Sequence, residues 1–279
     1  MRIRTLATTL AACAAVFCAS PAAAQYGAQH LSSNRATGEN YNVEVSGSLW
    51  SPTPDIVISS ESLGIAGSDV DFVTDLGIVK TTFKDIKVVL RPALKHKFRF
   101  EYTPINYTAD KTLQTTFVFN GQRFNIGLPV TSEVDWKAYR FGYEYDFVSR
   151  DRGFFGMVLE AKYTDIEASL TARFAGIEDT EFTHARAPIP ALGVIGRVYP
   201  APNISITGEW TGFRLPDAGT DRDKYGGKYY DFDLYGTVNF SDHFGAQAGY
   251  RSVDVFYKVK TDNGTMTLRG LYFGATGRF

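Results

Sequence analysis

Residues 134–147, VDWKAYRFGYEYDF, constrain the fold more tightly than any other stretch of the chain. Taking every second residue separates Tyr139, Phe141, Tyr143, Tyr145 and Phe147 from Trp136, Ala138, Arg140, Gly142, Glu144 and Asp146. The first row is wholly aromatic, and the second is mostly small or charged. Side chains of a strand alternate between its two faces, so this segment is a strand with one apolar and one polar face. A soluble sandwich buries such an apolar row in its core. A membrane barrel turns the row outward to lipid and keeps the polar row in its lumen. Targeting, composition and recurrence of the pattern decide between the two.

Targeting comes first. Arg2 and Arg4 form a basic start, residues 6–20 are small and apolar, and Ala22-Ala23-Ala24 precedes Gln25. That is the layout of a secretory signal peptide cut after Ala24. Residues 1–24 are therefore set aside, residues 25–40 are read as a flexible lead-in that could also fold into the lumen as a plug, and residues 41–279 as the folded domain. Leu10-Ala11-Ala12-Cys13 resembles a lipoprotein cleavage box, but too short an apolar run precedes it. Cys13 and Cys18 both fall in the signal, so the mature chain is expected to have no disulfide, thiol nucleophile or thiolate metal site. No cofactor is expected. No window reaches the ~18 uncharged apolar residues of a spanning helix. Loss of Arg2 and Arg4 leaves 27 basic against 30 acidic residues, a near-neutral balance that argues against a nucleic-acid partner.

The alternation recurs along the chain. Strands are expected over 41–50, 81–92, 98–108, 134–147, 154–165, around Leu192 to Val198, over 204–214 and 228–240, from Phe244, and in a last run ending at Phe279. Tyr41, Val43, Val45 and Leu49 share one face of the first. The connections alternate long and short: 51–80, 109–133, 166–186 and 215–227 against 93–97, 148–153, 199–203 and 241–243. Asn120-Gly121 sits between apolar flanks, the strongest short hairpin signal, and a second Asn-Gly, Asn263-Gly264, leads into the last strand. The expected fold is all-β: a transmembrane antiparallel up-and-down β-barrel of about ten strands, with short periplasmic turns and long extracellular loops.

The chain at this point resembles bacterial outer-membrane β-barrel proteins, through its signal, its ten amphipathic strands and its ending, LYFGATGRF. Members of that class end in an aromatic residue preceded by apolar residues at alternate positions. Here Phe279, Phe273 and Leu271 match, with Ala275, while Gly277 departs. The resemblance implies residence in the outer membrane of a Gram-negative bacterium and contact with outer-membrane lipid and lipopolysaccharide. It also implies recognition of the last strand by the barrel-assembly machinery.

The inward rows define the candidate site, a lumen charge network of Lys87, Arg91, Arg99, Glu101, Arg140, Glu144, Asp146, Glu160, Lys162, Arg197, Glu209, Asp231, Asp233 and Arg251. Glu44 and Arg278 share those rows. The signs balance, and confined charges are tolerated when paired, so a salt-bridged and largely closed interior is expected. The function read from this is structural or surface-interactive, with at most limited passage of small solutes. A surface adhesin or receptor is one alternative. The other is a hydrolase at the outer rim, either a lipid-modifying enzyme or one like the omptin proteases, which are ten-stranded barrels with aspartates and an Asp-His pair. Asp69, Asp71, Asp75, Asp179, Glu181 and His184 are the rim candidates, although Glu181-x-x-His184 matches no omptin motif. His96 and His243 fall in periplasmic turns. Asp217, Asp221 and Asp223 form an acidic loop cluster whose spacing is not that of an EF-hand. No catalytic or metal residue is assigned, and the chain is read as a non-enzyme.

Overall fold

The computed structural model describes residues 35–59, 61, 67–174, 177–215, 225–259 and 262–279, leaving aside the side chains of 173, 174, 177–185, 187, 225 and 259. In chain order the strands are β1 (Val43–Ser59), β2 (Val70–Asp71), β3 (Phe83–Ala93), β4 (His96–Thr112), β5 (Phe117–Phe119), β6 (Gln122–Phe124), β7 (Pro129–Arg150), β8 (Gly153–Phe174), β9 (Ile177–Ala201), β10 (Ile204–Arg214), β11 (Tyr225–Asn239), β12 (Phe244–Val259) and β13 (Asp262–Arg278). Ten of these, all but β2, β5 and β6, pair antiparallel in chain order. The sheet closes where β13 returns to β1, with Glu44 opposite Arg278. Closure pairs both edges, which an open sheet would leave as hydrogen-bonding templates. The result is an up-and-down ten-stranded β-barrel.

One row runs unbroken around part of the outer face. Tyr102 lies opposite Tyr139, and Tyr139 opposite Tyr163. Below it the exterior is apolar: Phe98, Phe141, Phe147, Phe155, Leu159, Leu192, Val194, Leu234, Leu271 and Phe273 are all exposed on the outside of the barrel. The interior at the same height is charged. From Tyr139 to Phe147 on β7 is about 26 Å of strand, or roughly 20 Å of height at a tilt of about 40°. That is most of the ~25 Å apolar band of a membrane barrel.

Above the tyrosine row the polarity reverses on the same strands. The outward residues of β7 become Lys137, Asp135 and Glu133, and the inward ones become Ala138, Trp136 and Val134, all buried. β8 repeats the change, with Asp165 and Glu167 outward and Ile166, Ala168, Leu170 and Ala172 buried. The strand period is undisturbed, and only the solvent on the outside has changed. Pro129 to Ala138 adds roughly 30 Å of strand beyond the apolar band at about 3.3 Å per residue. The sequence pattern ends the first strand at Trp50 and leaves 166–186 as a connection. The strands instead run on to Ser59 and Phe174, because above the membrane they form a water-facing β-structure with its own apolar core. Asn263-Gly264 likewise lies within β13, paired with Lys258 and Tyr257 of β12.

Two small elements close the upper core. β2 pairs with Ile58 and Val57 of β1 and delivers Val70, Phe72, Leu76 and Ile78 inward. β5 and β6 form the hairpin expected at Asn120-Gly121, whose two φ values of 49° and 81° are those of a type I′ turn. Phe117, Phe119 and Phe124 from this hairpin join the same buried cluster. Phe72 meets Phe119 edge-on at 6.4 Å, an arrangement favoured by aromatic quadrupoles.

Candidate functional site

The lumen within the apolar band is built by strand parity: Arg99 and Glu101 on β4, Arg140 and Glu144 on β7, Glu160 and Lys162 on β8, Glu209 on β10, Asp231 on β11 and Arg251 on β12 all point to the axis and are buried. Arg140 is the centre. Its guanidinium reaches Glu101 at 3.1 Å, Glu160 at 2.8 Å, Glu209 at 2.9 Å and Asp231 at 3.3 Å, carboxylates from four different strands. Arg251 binds Glu101 at 2.7 Å and Asp231 at 2.9 Å, and Lys162 bridges Glu160 and Asp231 at 3.0 and 3.4 Å. Arg99 joins Glu209 to Glu144, and Lys87 lies 3.7 Å from Glu209. Asp146 is held by Lys97 at 3.0 Å. Asp233 accepts a hydrogen bond from the Tyr272 hydroxyl at 2.9 Å.

Charges removed from water cost several kcal/mol each, and here each carboxylate of the central cluster faces at least one cation within ion-pair distance. The planar, rigid fork of arginine suits this job because its five donors can satisfy several carboxylates at once. The cavities left beside the network are small. One, lined by Asp85, Lys87, Glu101, Asp233 and Arg251, has a volume of about 30 Å³, and another near Glu144 and Arg197 about 10 Å³. The larger holds about one water.

Arg91 and Arg197 lie lower, outside the central cluster. Both contact Glu39, at 3.4 and 2.8 Å, a residue of the segment leading into β1. The flexible lead-in read for 25–40 falls mostly outside the described residues. From Ala36 onward the backbone is tied beneath the barrel, with Ala36 and Thr37 amides donating to Asp151 O and Pro202 O. Tyr41, expected on the lipid face, is buried beneath the lumen, its ring 5.3 Å from the Arg91 guanidinium. β1 begins only at Val43, so Tyr41 does not follow the strand alternation.

Three network members escaped the sequence reading. Lys97 was placed in a turn, yet it shares parity with Arg99 and Glu101 and bonds Glu144 at 2.5 Å. Extending the alternation of β4 by one step would have found it. Asp85 belongs to the inward row of β3 in the same way and lies 3.7 Å from Arg251. Glu39 carries no such signal, because no periodicity reaches it.

At the outer rim two of the candidate carboxylates bond the backbone of their own segment. Asp71 accepts hydrogen bonds from the amides of Val73 and Thr74, and Asp75 accepts one from the Asp71 amide. Burial pushes the Asp71 carboxyl up, but the Thr74 amide and hydroxyl, the Val73 amide and Lys111 together hold it below the usual aspartate range. His184 lies on β9 opposite Glu167 rather than in a loop, and the side chains of Asp179, Glu181 and His184 are outside the described residues. Asp217, Asp221 and Asp223 are also outside them. His96 Nδ1 shares a hydrogen bond with the Tyr143 hydroxyl at 2.6 Å, and His243 Nδ1 donates one to Arg278 O at 3.0 Å, both at the end of the barrel with the short turns. Among the described residues no group of three or more His, Cys, Asp or Glu could hold a metal ion. Leu271, Phe273 and Phe279 are exposed on the lipid side of the last strand.

This geometry is the fold of the small bacterial outer-membrane β-barrels. No protein-family model matches the sequence, and no curated protein matches it. Among solved structures the chain is similar to the outer membrane protease OmpT from Escherichia coli, at 10% identity, covering 85% of this chain and 97% of that one with a TM-score of 0.52. It also aligns with Ail, the attachment invasion locus protein of Yersinia pestis, at 8% identity over 85% and 99% of the two chains with a TM-score of 0.36. The toluene transporter TodX of Pseudomonas putida aligns at 7% identity over 85% and 90%, with a TM-score of 0.37. At 10% identity the likeness to OmpT is one of fold alone.

Proposed function

We propose that this protein is a sealed anchor in the outer membrane of a Gram-negative bacterium, and that it holds a rigid β-structure above the cell surface for interaction with molecules outside. The observation that carries this is the reversal of polarity at the tyrosine row. A barrel that served only to conduct would keep a wet interior along its whole height, whereas this one fills its membrane level with ion pairs and its upper level with Trp136, Leu170, Phe119 and their neighbours. The exported, cleaved signal peptide and assembly through the C-terminal strand, with Leu271, Phe273 and Phe279 as the recognised residues, belong to the same reading. The lumen charges then act as structure, and surface residues of the upper level and its hairpin act as the contact surface.

The test is made on cells that express the full chain or a variant with hairpin residues 115–126 replaced by a short glycine-serine link. Attachment to panels of immobilised glycans and host-surface proteins, and influx of small solutes, are measured side by side. The proposal expects attachment that is lost with the hairpin and influx that matches cells without the protein. Influx raised by the protein with no attachment would favour the solute-passage reading and overturn this one.

A further inference from the structure

At the end of the barrel that carries the short turns, the wall builds a receptor for a carboxylate. Glu39 is 4% exposed. Its Oε1 accepts hydrogen bonds from Arg197 Nη1 at 2.8 Å and from the Tyr199 hydroxyl at 3.0 Å, and its Oε2 lies 3.4 Å from Arg91 Nη1. The same Arg91 nitrogen donates to the Glu39 main-chain oxygen at 2.9 Å. One carboxylate therefore meets two guanidiniums and a phenol, the donor set that recognises this group best.

The barrel holds these donors in place. Arg91 Nη2 donates to Leu94 O at 3.1 Å, and Arg197 Nε to the Thr207 hydroxyl at 2.9 Å. The Arg197 guanidinium also lies 5.3 Å from the Phe154 ring. Such second contacts fix the direction of the fork before any carboxylate arrives, which lowers the ordering cost of binding. Without Glu39, two buried guanidiniums would lose the carboxylate they share.

The chain on either side of Glu39 is arranged to deliver it. Gly38 has φ 82°, and a Cβ there would stand 2.5 Å from Arg278 Nη1 and 2.9 Å from Asn239 Oδ1. Only glycine both adopts that conformation easily and leaves the room. The Ala36 and Thr37 amides bond the turns β7–β8 and β9–β10, the Gly38 amide bonds Asp242 in the turn β11–β12, and Asn239 Nδ2 donates to Thr37 O.

We propose that Arg91, Arg197 and Tyr199 form a carboxylate-binding site at the periplasmic mouth of the barrel, and that the chain fills it with its own Glu39. The segment 36–42 is then a tethered ligand. Its carboxylate is the specific contact, and its main chain ties three turns together once the barrel has closed. The ligand class is a carboxylate on an extended segment, and with Glu39 removed the site accepts a small free carboxylate. This site exists whether or not the lumen conducts.

The experiment compares full-length wild type with Glu39→Ala, refolded in detergent, by thermal unfolding in sodium acetate, in sodium chloride, and in sodium chloride with added acetamide, all at one ionic strength. In chloride the variant midpoint is expected to fall by roughly 5–15 °C, as for loss of one partner from a buried charge pair. Acetate is expected to raise that midpoint saturably, chloride and acetamide to leave it, and the wild type to ignore acetate. A midpoint unchanged by the substitution, or a fall that acetate does not reverse, overturns the proposal. If Glu39→Ala does not refold in chloride, refolding yield becomes the readout. Recovery in acetate supports the site, and equal failure in both salts overturns it.

Discussion

Arg140 shows what a single buried charge can do when the barrel wall brings four carboxylates to it. Its replacement leaves Glu101, Glu160, Glu209 and Asp231 with their mutual repulsion and only Arg251, Lys162, Arg99 and Lys87 to offset it. Arg140→Met is therefore expected to destabilise the barrel by about 3–5 kcal/mol, measured by urea unfolding in lipid vesicles. A loss under about 1 kcal/mol would mean that the interior is wet enough to rehydrate the carboxylates. Asp71 makes a second prediction at this scale, in water rather than lipid. Because its folded pKa lies below the unfolded one, its stabilisation is present at neutral pH and is lost as pH falls through the folded value. Protection of the Val73 and Thr74 amides, taken relative to their intrinsic exchange rate at each pH, should fall in acid, and Asp71→Asn, which has no charge to lose, should flatten that dependence. Which residues reach the lumen was readable from parity alone, since strands keep a period of two. Which carboxylate meets which cation was not, because partners such as Arg99 and Glu209 lie 110 residues apart and meet only once the register is set.

At the level of the strand, β7 carries two environments on one alternation. The apolar-out, polar-in half from Tyr139 to Phe147 was legible because its aromatic row fits only lipid or a core. The other half, polar-out and apolar-in, has the same period with the faces exchanged, and an alternation carries no label for which face is outward. That is why residues 51–59 and 166–186 were read as loops although they continue β1, β8 and β9. The reversal makes a direct prediction. Phe141→Arg, on the lipid side between the tyrosine row and mid-band, should cost about 1–3 kcal/mol. Asp135→Arg, six residues earlier on the same outward row, should change stability by no more than about 0.5 kcal/mol. Unfolding titrations of both variants decide it, and equal costs would place the membrane boundary elsewhere on the strand.

Among the described residues, side chains and main chain fill the barrel at three levels. The segment 36–42 lies across the short-turn end, the Arg140 network fills the membrane level, and the apolar cluster under β2 and the β5–β6 hairpin fills the top. A barrel of ten strands is near the size that side chains can fill. Balanced inward charge already pointed that way in the sequence, whereas the lower seal was out of reach because Glu39 belongs to no strand. The most direct test is single-channel recording of residues Gln25 to Phe279, refolded in planar bilayers, with folding verified by heat-modifiable mobility. The account predicts no conductance steps at neutral pH. Stable, reproducible steps from folded protein would contradict it and show a continuous water path past Arg140.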